Sequence, residues 1–171
     1  MMRVCATVAA FCLLTLAPDA GANNGSTAAP VILPVARTGW PRILASTRGH
    51  VTLVNFWATW CAPCVEEFPD LLKLREAYAS RGLRVVFVSL DTPGDTATAV
   101  RGFLEKHGVG FTTYIKSAGD DEAFINTVDR NWRGAIPATF IYDRRGREIH
   151  ALTDAHTFKQ LARLIEPLLQ K

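Results

Sequence analysis

Residues 55–69, NFWATWCAPCVEEFP, hold two cysteines, Cys61 and Cys64, just after an apolar run. The segment that leads in, VTLVNF at 51–56, is apolar and β-branched enough for a strand buried on both faces. From Ala62 to about Ala79, the residues Val65, Phe68, Leu71, Leu72, Arg75 and Tyr78 fall at helical spacing, and Gly82 stops the pattern. Pro63 suits a first helical turn, where its missing N–H would be unpaired in any case. LRVVFVSL at 83–90 reads as a second buried strand. Strand, helix and strand at this spacing make a right-handed βαβ unit with parallel strands. The cysteine pair therefore stands where a buried strand hands over to a helix.

Working outward, GWPRILAST at 39–47 holds a short helix starting near Pro41. After the loop DTPGDT, a helix over about 96–107 closes at Gly108, and FTTYI at 111–115 alternates like a short strand. GDDEAFINTVD at 119–129 opens with acids, which suit a helix N-terminus. ATFIYDRRGREIHAL is a β-hairpin around a turn that contains Gly146. The last helix, about 155–169, carries Phe158, Leu161, Ala162, Ile165, Leu168 and Leu169 on one stripe. This order indicates an α/β sandwich with a mixed sheet.

The N-terminus has a different character. Arg3 is followed by VCATVAAFCLLTLA, a run without charge up to Pro18, and then by small residues at Ala20-Gly21-Ala22. That is a secretory signal pattern, read as residues 1–22 with cleavage after Ala22, and the run is shorter than the roughly 20 residues of a spanning helix. An uncleaved membrane anchor is the alternative. Residues 23–34 read as a flexible leader and 35–171 as one globular domain. Charge is scattered, with 19 basic against 16 acidic residues and only DRRGR at 143–147 clustered, so no nucleic-acid face is indicated. A turn between two strands accounts for that cluster.

Removal of the signal would take Cys5 and Cys12 with it and leave Cys61 and Cys64 as one pair in an oxidising compartment. Cys61 would meet the unpaired N–H groups and the positive end of the helix dipole, both of which favour the thiolate that attacks disulfides. Cys64, one turn on, would sit deeper and attack second. A structural bridge over so small a loop would restrain little of the unfolded chain. Zinc needs about four ligands, and His50, His107, His150 and His156 show no ligand spacing. Covalent haem attachment needs His after the second cysteine, where Val65 stands. A redox-active dithiol is the preferred reading. A copper-binding, metallochaperone-like module using both thiolates stays open beside it, although the methionines that could complete its site are Met1 and Met2.

At FWATWCAPC the chain resembles the thioredoxin superfamily, and with VEEFPDL after the pair it resembles the TlpA/ResA/DsbE-like extracytoplasmic branch. The resemblance covers about residues 35–170 and implies a thioredoxin-like three-layer α/β/α sandwich with a mixed central sheet and a central βα insertion, here within 91–137. It implies Cys61 as nucleophile, Cys64 as resolving cysteine and Trp60 as part of the surface beside them. GAIPATF at 134–140 is similar to the family's second signature. Pro137 would be its cis-proline, and Ile136 would present its backbone to an extended substrate. Trp132 and Arg133, in the insertion, are candidates for the substrate-binding groove, with an ordinary packed Trp as the equal alternative.

Two departures bear on mechanism. Cytoplasmic thioredoxins usually carry a buried Asp where this chain has Asn55, which cannot accept a proton. Glu67 matches a Glu six residues after the first cysteine in ResA-like members and is the candidate base for Cys64, with a pKa raised by burial. Glu66 reads as an ordinary solvated helix residue. Ala-Pro between the cysteines resembles the reducing thioredoxin pair rather than the oxidising one, about 150 mV away. The resemblance thus implies a periplasmic or otherwise extracytoplasmic protein disulfide reductase, expected as a monomer. Its electrons would come from a membrane thiol reductase, with no cofactor or metal beyond the Cys61–Cys64 disulfide. Its substrates would lie in cytochrome c maturation or copper-site assembly. A thiol peroxidase fits poorly, because the motif has a dithiol and no Thr three residues before Cys61.

Overall fold

The computed structural model describes residues 28–92 and 95–170. The signal-peptide reading and the leader up to residue 27 lie outside the described residues. The chain forms β1 (Val31–Val35), α1 (Trp40–Ser46), β2 (Val51–Trp57), α2 (Ala62–Tyr78), β3 (Leu83–Ser89), α3 (Asp95–Lys106), β4 (Thr112–Lys116), α4 (Asp121–Val128), β5 (Ala138–Tyr142), β6 (Glu148–Leu152) and α5 (Phe158–Leu169). A short 3-10 turn at Ala79–Arg81 follows α2, and Gly82 (φ 94°) ends it in the left-handed region that glycine adopts without strain.

The strands lie in the order β1-β4-β3-β2-β5-β6. β1, β4, β3 and β2 run parallel, while β5 is antiparallel to both β2 and β6. Every residue of β2 is buried, as its β-branched composition predicts for a central strand covered on both faces. On one face Phe68 and Leu71 of α2, Leu104 of α3 and Leu161 and Ile165 of α5 pack against Leu53 and Phe87. On the other, Trp40 of α1, Phe124 of α4 and Trp132 pack against Val54, Phe56 and Phe140. The result is the expected three-layer α/β/α sandwich. The expected insertion is α3, β4 and α4, lying between β3 and β5.

Three expectations need correction. The leader reading of 23–34 fails over its last residues, because VILPV forms β1 on β4 with Val31 opposite Thr112. Of these five residues only Val35 is buried, although all five are apolar. Pro34 is tolerated because β1 is an edge strand. The last helix starts at Phe158 and not near 155, because Thr157 and Gln160 form a capping box in which the Thr157 N–H donates to Gln160 Oε1 at 2.8 Å. Finally, the buried stripe of α2 is Cys64, Glu67, Phe68, Leu71, Leu74 and Tyr78, not one running through Val65, Leu72 and Arg75.

Candidate active site

Cys61 is the N-cap of α2, with an extended backbone (φ −89°, ψ 98°), and its carbonyl accepts the N–H of Val65 at 3.0 Å. Its sulfur is joined to that of Cys64 at 2.03 Å. The two cysteines differ in access: Cys61 is 6% exposed and Cys64 is fully buried. Trp60, beside them, is 68% exposed, the largest apolar side chain left to solvent at this end of the sheet. The turn that carries Trp60 and Cys61 is held from below by Asp91. This buried carboxylate accepts the Thr59 N–H (3.0 Å), the Thr59 hydroxyl (2.6 Å) and the Ser89 hydroxyl (2.7 Å). Nothing in the sequence pattern had marked Asp91; a carboxylate directly after a buried parallel strand was the one available signal.

Glu67 lies one helical turn beyond Cys64 on the same buried face. Its Oε1 accepts the Asn55 amide at 2.8 Å, and its Oε2 accepts the backbone N–H of His156 at 3.0 Å. Burial pushes its pKa above the ordinary carboxylate value, against the lowering effect of those two hydrogen bonds and of the nearby His156. Asn55 is fully buried in β2 and also donates to Thr139 Oγ1 at 3.1 Å. The amide at 55 is thus the right partner for a carboxylate at 67, because a second carboxylate there would oppose its charge. Glu66, next in sequence, is exposed.

Asp70 extends the same device by one turn: its Oδ2 accepts the N–H of Phe158, the first residue of α5, at 3.0 Å. That bond, with Lys73, holds the Asp70 carboxyl below its ordinary value. Two carboxylates on α2 therefore receive the chain at the start of α5, one buried and one near the surface.

The bond Ile136–Pro137 is cis. Ala138 stands opposite Phe56 in the antiparallel β2–β5 pair, so the cis bond lies level with Trp57 and Ala58, where β2 gives way to the cysteine turn. Ile136 is half-buried and Pro137 buried. Trp132 does not join this surface. It is 3% exposed, its ring packs 4.7 Å from Phe56 and 5.5 Å from Phe140, and its indole N–H donates to the Ala135 carbonyl at 2.8 Å. The expectation that it lines a substrate groove is corrected: it is a core residue that tethers the segment leading to Ile136. Arg133 beside it is exposed. Gly134, which follows Arg133, has φ 81°, and a Cβ there would come within 2.7 Å of Ile125 Cδ1.

Fold and site together define a thioredoxin-like protein with a Cys-X-X-Cys disulfide at a helix start, facing a cis-proline loop. The chain belongs to the AhpC/TSA family, whose model matches residues 25–150. Among named relatives it is 33% identical over 122 residues to the thiol:disulfide interchange protein HelX of Rhodobacter capsulatus, covering 71% of this chain and 62% of that one. It is 28% identical over 114 residues to the thiol-disulfide oxidoreductase ResA of Bacillus subtilis, covering 67% and 59%. The chain therefore spans about three fifths of the length of these two relatives. A crystal structure of a thiol:disulfide interchange protein of the thioredoxin family from Chlorobium tepidum superposes with TM-score 0.62 at 24% identity, over 73% of this chain and 83% of that one. At that identity the likeness speaks to the fold.

Proposed function

We propose that this protein reduces disulfide bonds in protein substrates outside the cytoplasm, by thiol–disulfide exchange at Cys61 and Cys64. The observation that carries the reading is the asymmetry of the pair: Cys61 caps the helix and reaches solvent, while Cys64 is sealed one turn below, on the face that holds Glu67. The similarity to a thiol:disulfide interchange protein and a thiol-disulfide oxidoreductase supports exchange chemistry at this pair.

In the reduced protein, the first-turn N–H groups and the helix dipole favour the Cys61 thiolate. It attacks one sulfur of the substrate disulfide, forms a mixed disulfide and releases the other substrate sulfur as a thiolate. Cys64 then gives its proton to Glu67 and attacks the Cys61 sulfur. The internal disulfide closes, the second substrate thiol leaves, and two electrons have passed to the substrate. The raised pKa of Glu67 suits it to hold that proton. Trp60 supplies an exposed apolar contact, and the Ile136 backbone pairs with an extended substrate segment. A dithiol donor, a membrane thiol reductase, returns the pair to its reduced state. The protein acts as a monomer on the cysteines of an apocytochrome c or of a copper-site assembly protein.

The test is reduction of insulin disulfides by the purified protein with a dithiol donor. Wild type should turn over and Cys61→Ser should not; equal turnover by Cys61→Ser would end this reading. Hydrogen peroxide consumption without a disulfide substrate would instead mark a peroxidase. Ala58, buried three residues before Cys61, offers no hydroxyl for that chemistry.

A further inference from the structure

The DRRGR turn at 143–147, unremarkable in the sequence, is one corner of a basic end of the molecule. The parallel strands β1, β4, β3 and β2 carry their chain toward the cysteines, so the starts of these strands and the β5–β6 turn form the opposite end. Arg144 pins that end together: its guanidinium donates to the carbonyls of Gly49 (3.0 Å), Leu169 (3.3 Å) and Arg81 (3.4 Å). Around it stand Arg48, Arg81, Arg84 and Arg145, all exposed and none within an ion pair among the described residues. Arg48 reaches the turn itself, with its Nε 3.6 Å from where a Cβ on Gly146 would lie.

Carboxylates do not balance this charge. Asp143 is paired with Arg147 at 2.7 Å, which leaves Glu148, with Asp129 near it, and Glu166, which accepts the Tyr78 hydroxyl at 2.6 Å and keeps its charge, against the five arginines. Beside the β3 start, Arg75 lies 3.8 Å over the Phe111 ring and shares a recess of about 360 Å³ with Arg84 and His50. No carboxylate lines that recess among the described residues. Burial first, and the charge of Arg84 second, lower the Arg75 pKa, as expected for two guanidiniums that lack a counter-charge.

The path of the chain adds a second argument. Val31 enters β1 opposite Thr112, from the side where the other parallel strands start. The uncharged run VCATVAAFCLLTLA at 4–17 precedes that strand in the sequence.

We propose that this arginine-rich end is a docking surface for an anionic phospholipid membrane, so that the domain rests on the bilayer with Trp60 and the cysteine pair facing away from it. Arginines held near an anionic leaflet each strengthen partition several-fold, and the effect falls away within a Debye length. A domain seated this way leaves its redox face open to soluble substrates. The proposal stands independently of the reaction assigned to that face.

The test compares partition of the full chain into vesicles of phosphatidylglycerol and phosphatidylcholine with partition into phosphatidylcholine alone. An apolar segment contributes to both, so the ratio reports the charged surface. The triple variant Arg48→Gln, Arg84→Gln, Arg145→Gln changes exposed side chains and keeps Arg144; circular dichroism and disulfide reduction should match wild type. Wild type should prefer the anionic vesicles, and the variant should lower that preference on the order of 100-fold. Salt near 1 M should remove it. An equal ratio in variant and wild type overturns the proposal. So does a wild type without preference for anionic vesicles, the result expected if this end meets an acidic protein instead.

Discussion

Replacing Glu67 by Gln should change how the stability of the protein depends on pH, in a direction that the geometry fixes. The native Glu67 holds its proton to a higher pH than the unfolded chain does, because burial outweighs its hydrogen bonds. Its stabilising contribution is therefore complete below the ordinary carboxylate pKa, declines as pH rises toward the raised native value, and is flat above it. One proton is at stake, so the decline cannot exceed about 1.4 kcal/mol per pH unit. The amide introduced by Glu67→Gln can still accept the His156 N–H. Its NH2 can be met by Asn55, whose Oδ1 is buried without a donor in the wild type and reaches that position if the amide turns over. Below the ordinary carboxylate range the two proteins should thus differ by no more than about one hydrogen bond, ~1 kcal/mol. Above it the variant should gain on the wild type as pH rises, and the difference should level off once the raised native value is passed. Urea unfolding of both oxidised proteins from pH 4 to pH 8 measures the difference. A difference curve that is flat, or that falls with pH, would refute the assignment of Glu67 as a carboxylate destabilised by burial.

Asp70 should show the opposite sign. Its pKa is lowered, chiefly by the Phe158 N–H, so its contribution is present above the ordinary Asp value and lost as pH falls through the native one. Asp70→Ala removes the acceptor at the start of α5 and should cost about 1 kcal/mol at neutral pH in urea titrations. An unchanged midpoint would remove it as a cap. Asp91→Ala leaves the Thr59 N–H, the Thr59 hydroxyl and the Ser89 hydroxyl without their buried acceptor. At about 1 kcal/mol or more for each, the loss should reach roughly 3 kcal/mol, and alkylation of Cys61 in the reduced protein should change rate as its turn loosens. A rate and midpoint like those of wild type would show that the turn does not depend on Asp91.

The strand-to-helix junction was legible because VTLVNF and LRVVFVSL are buried on both faces and announce themselves by composition alone. The face of α2 was not. Cys64 and Glu67 belong to its buried stripe, but a cysteine and a glutamate do not read as apolar, so the pattern was drawn one residue away through Val65 and Leu72. The residues that carry the chemistry are those that break the hydrophobic signal. β1 is hidden for another reason: its five apolar residues are interrupted by Pro34 and follow directly on ANNGSTAAP, so they read as the end of a leader until β4 is there to pair with them. Trp132 shows a third limit. Its position in the insertion suggested a groove, while its burial against Phe56 and Phe140 depends on contacts across the sheet that local sequence does not contain. The α5 start was readable all along in Thr157 and Gln160, a Thr-X-X-Gln capping box.

The central claim is a division of labour in which Cys61 meets the substrate and Cys64 releases it. The direct measurement is the recovery of mixed disulfides from cells expressing Cys64→Ser or Cys61→Ser, resolved with and without reductant. Protein adducts on Cys61 that accumulate in Cys64→Ser and are absent from Cys61→Ser are the predicted result. Equal adducts on Cys64 in the Cys61→Ser variant would contradict the account.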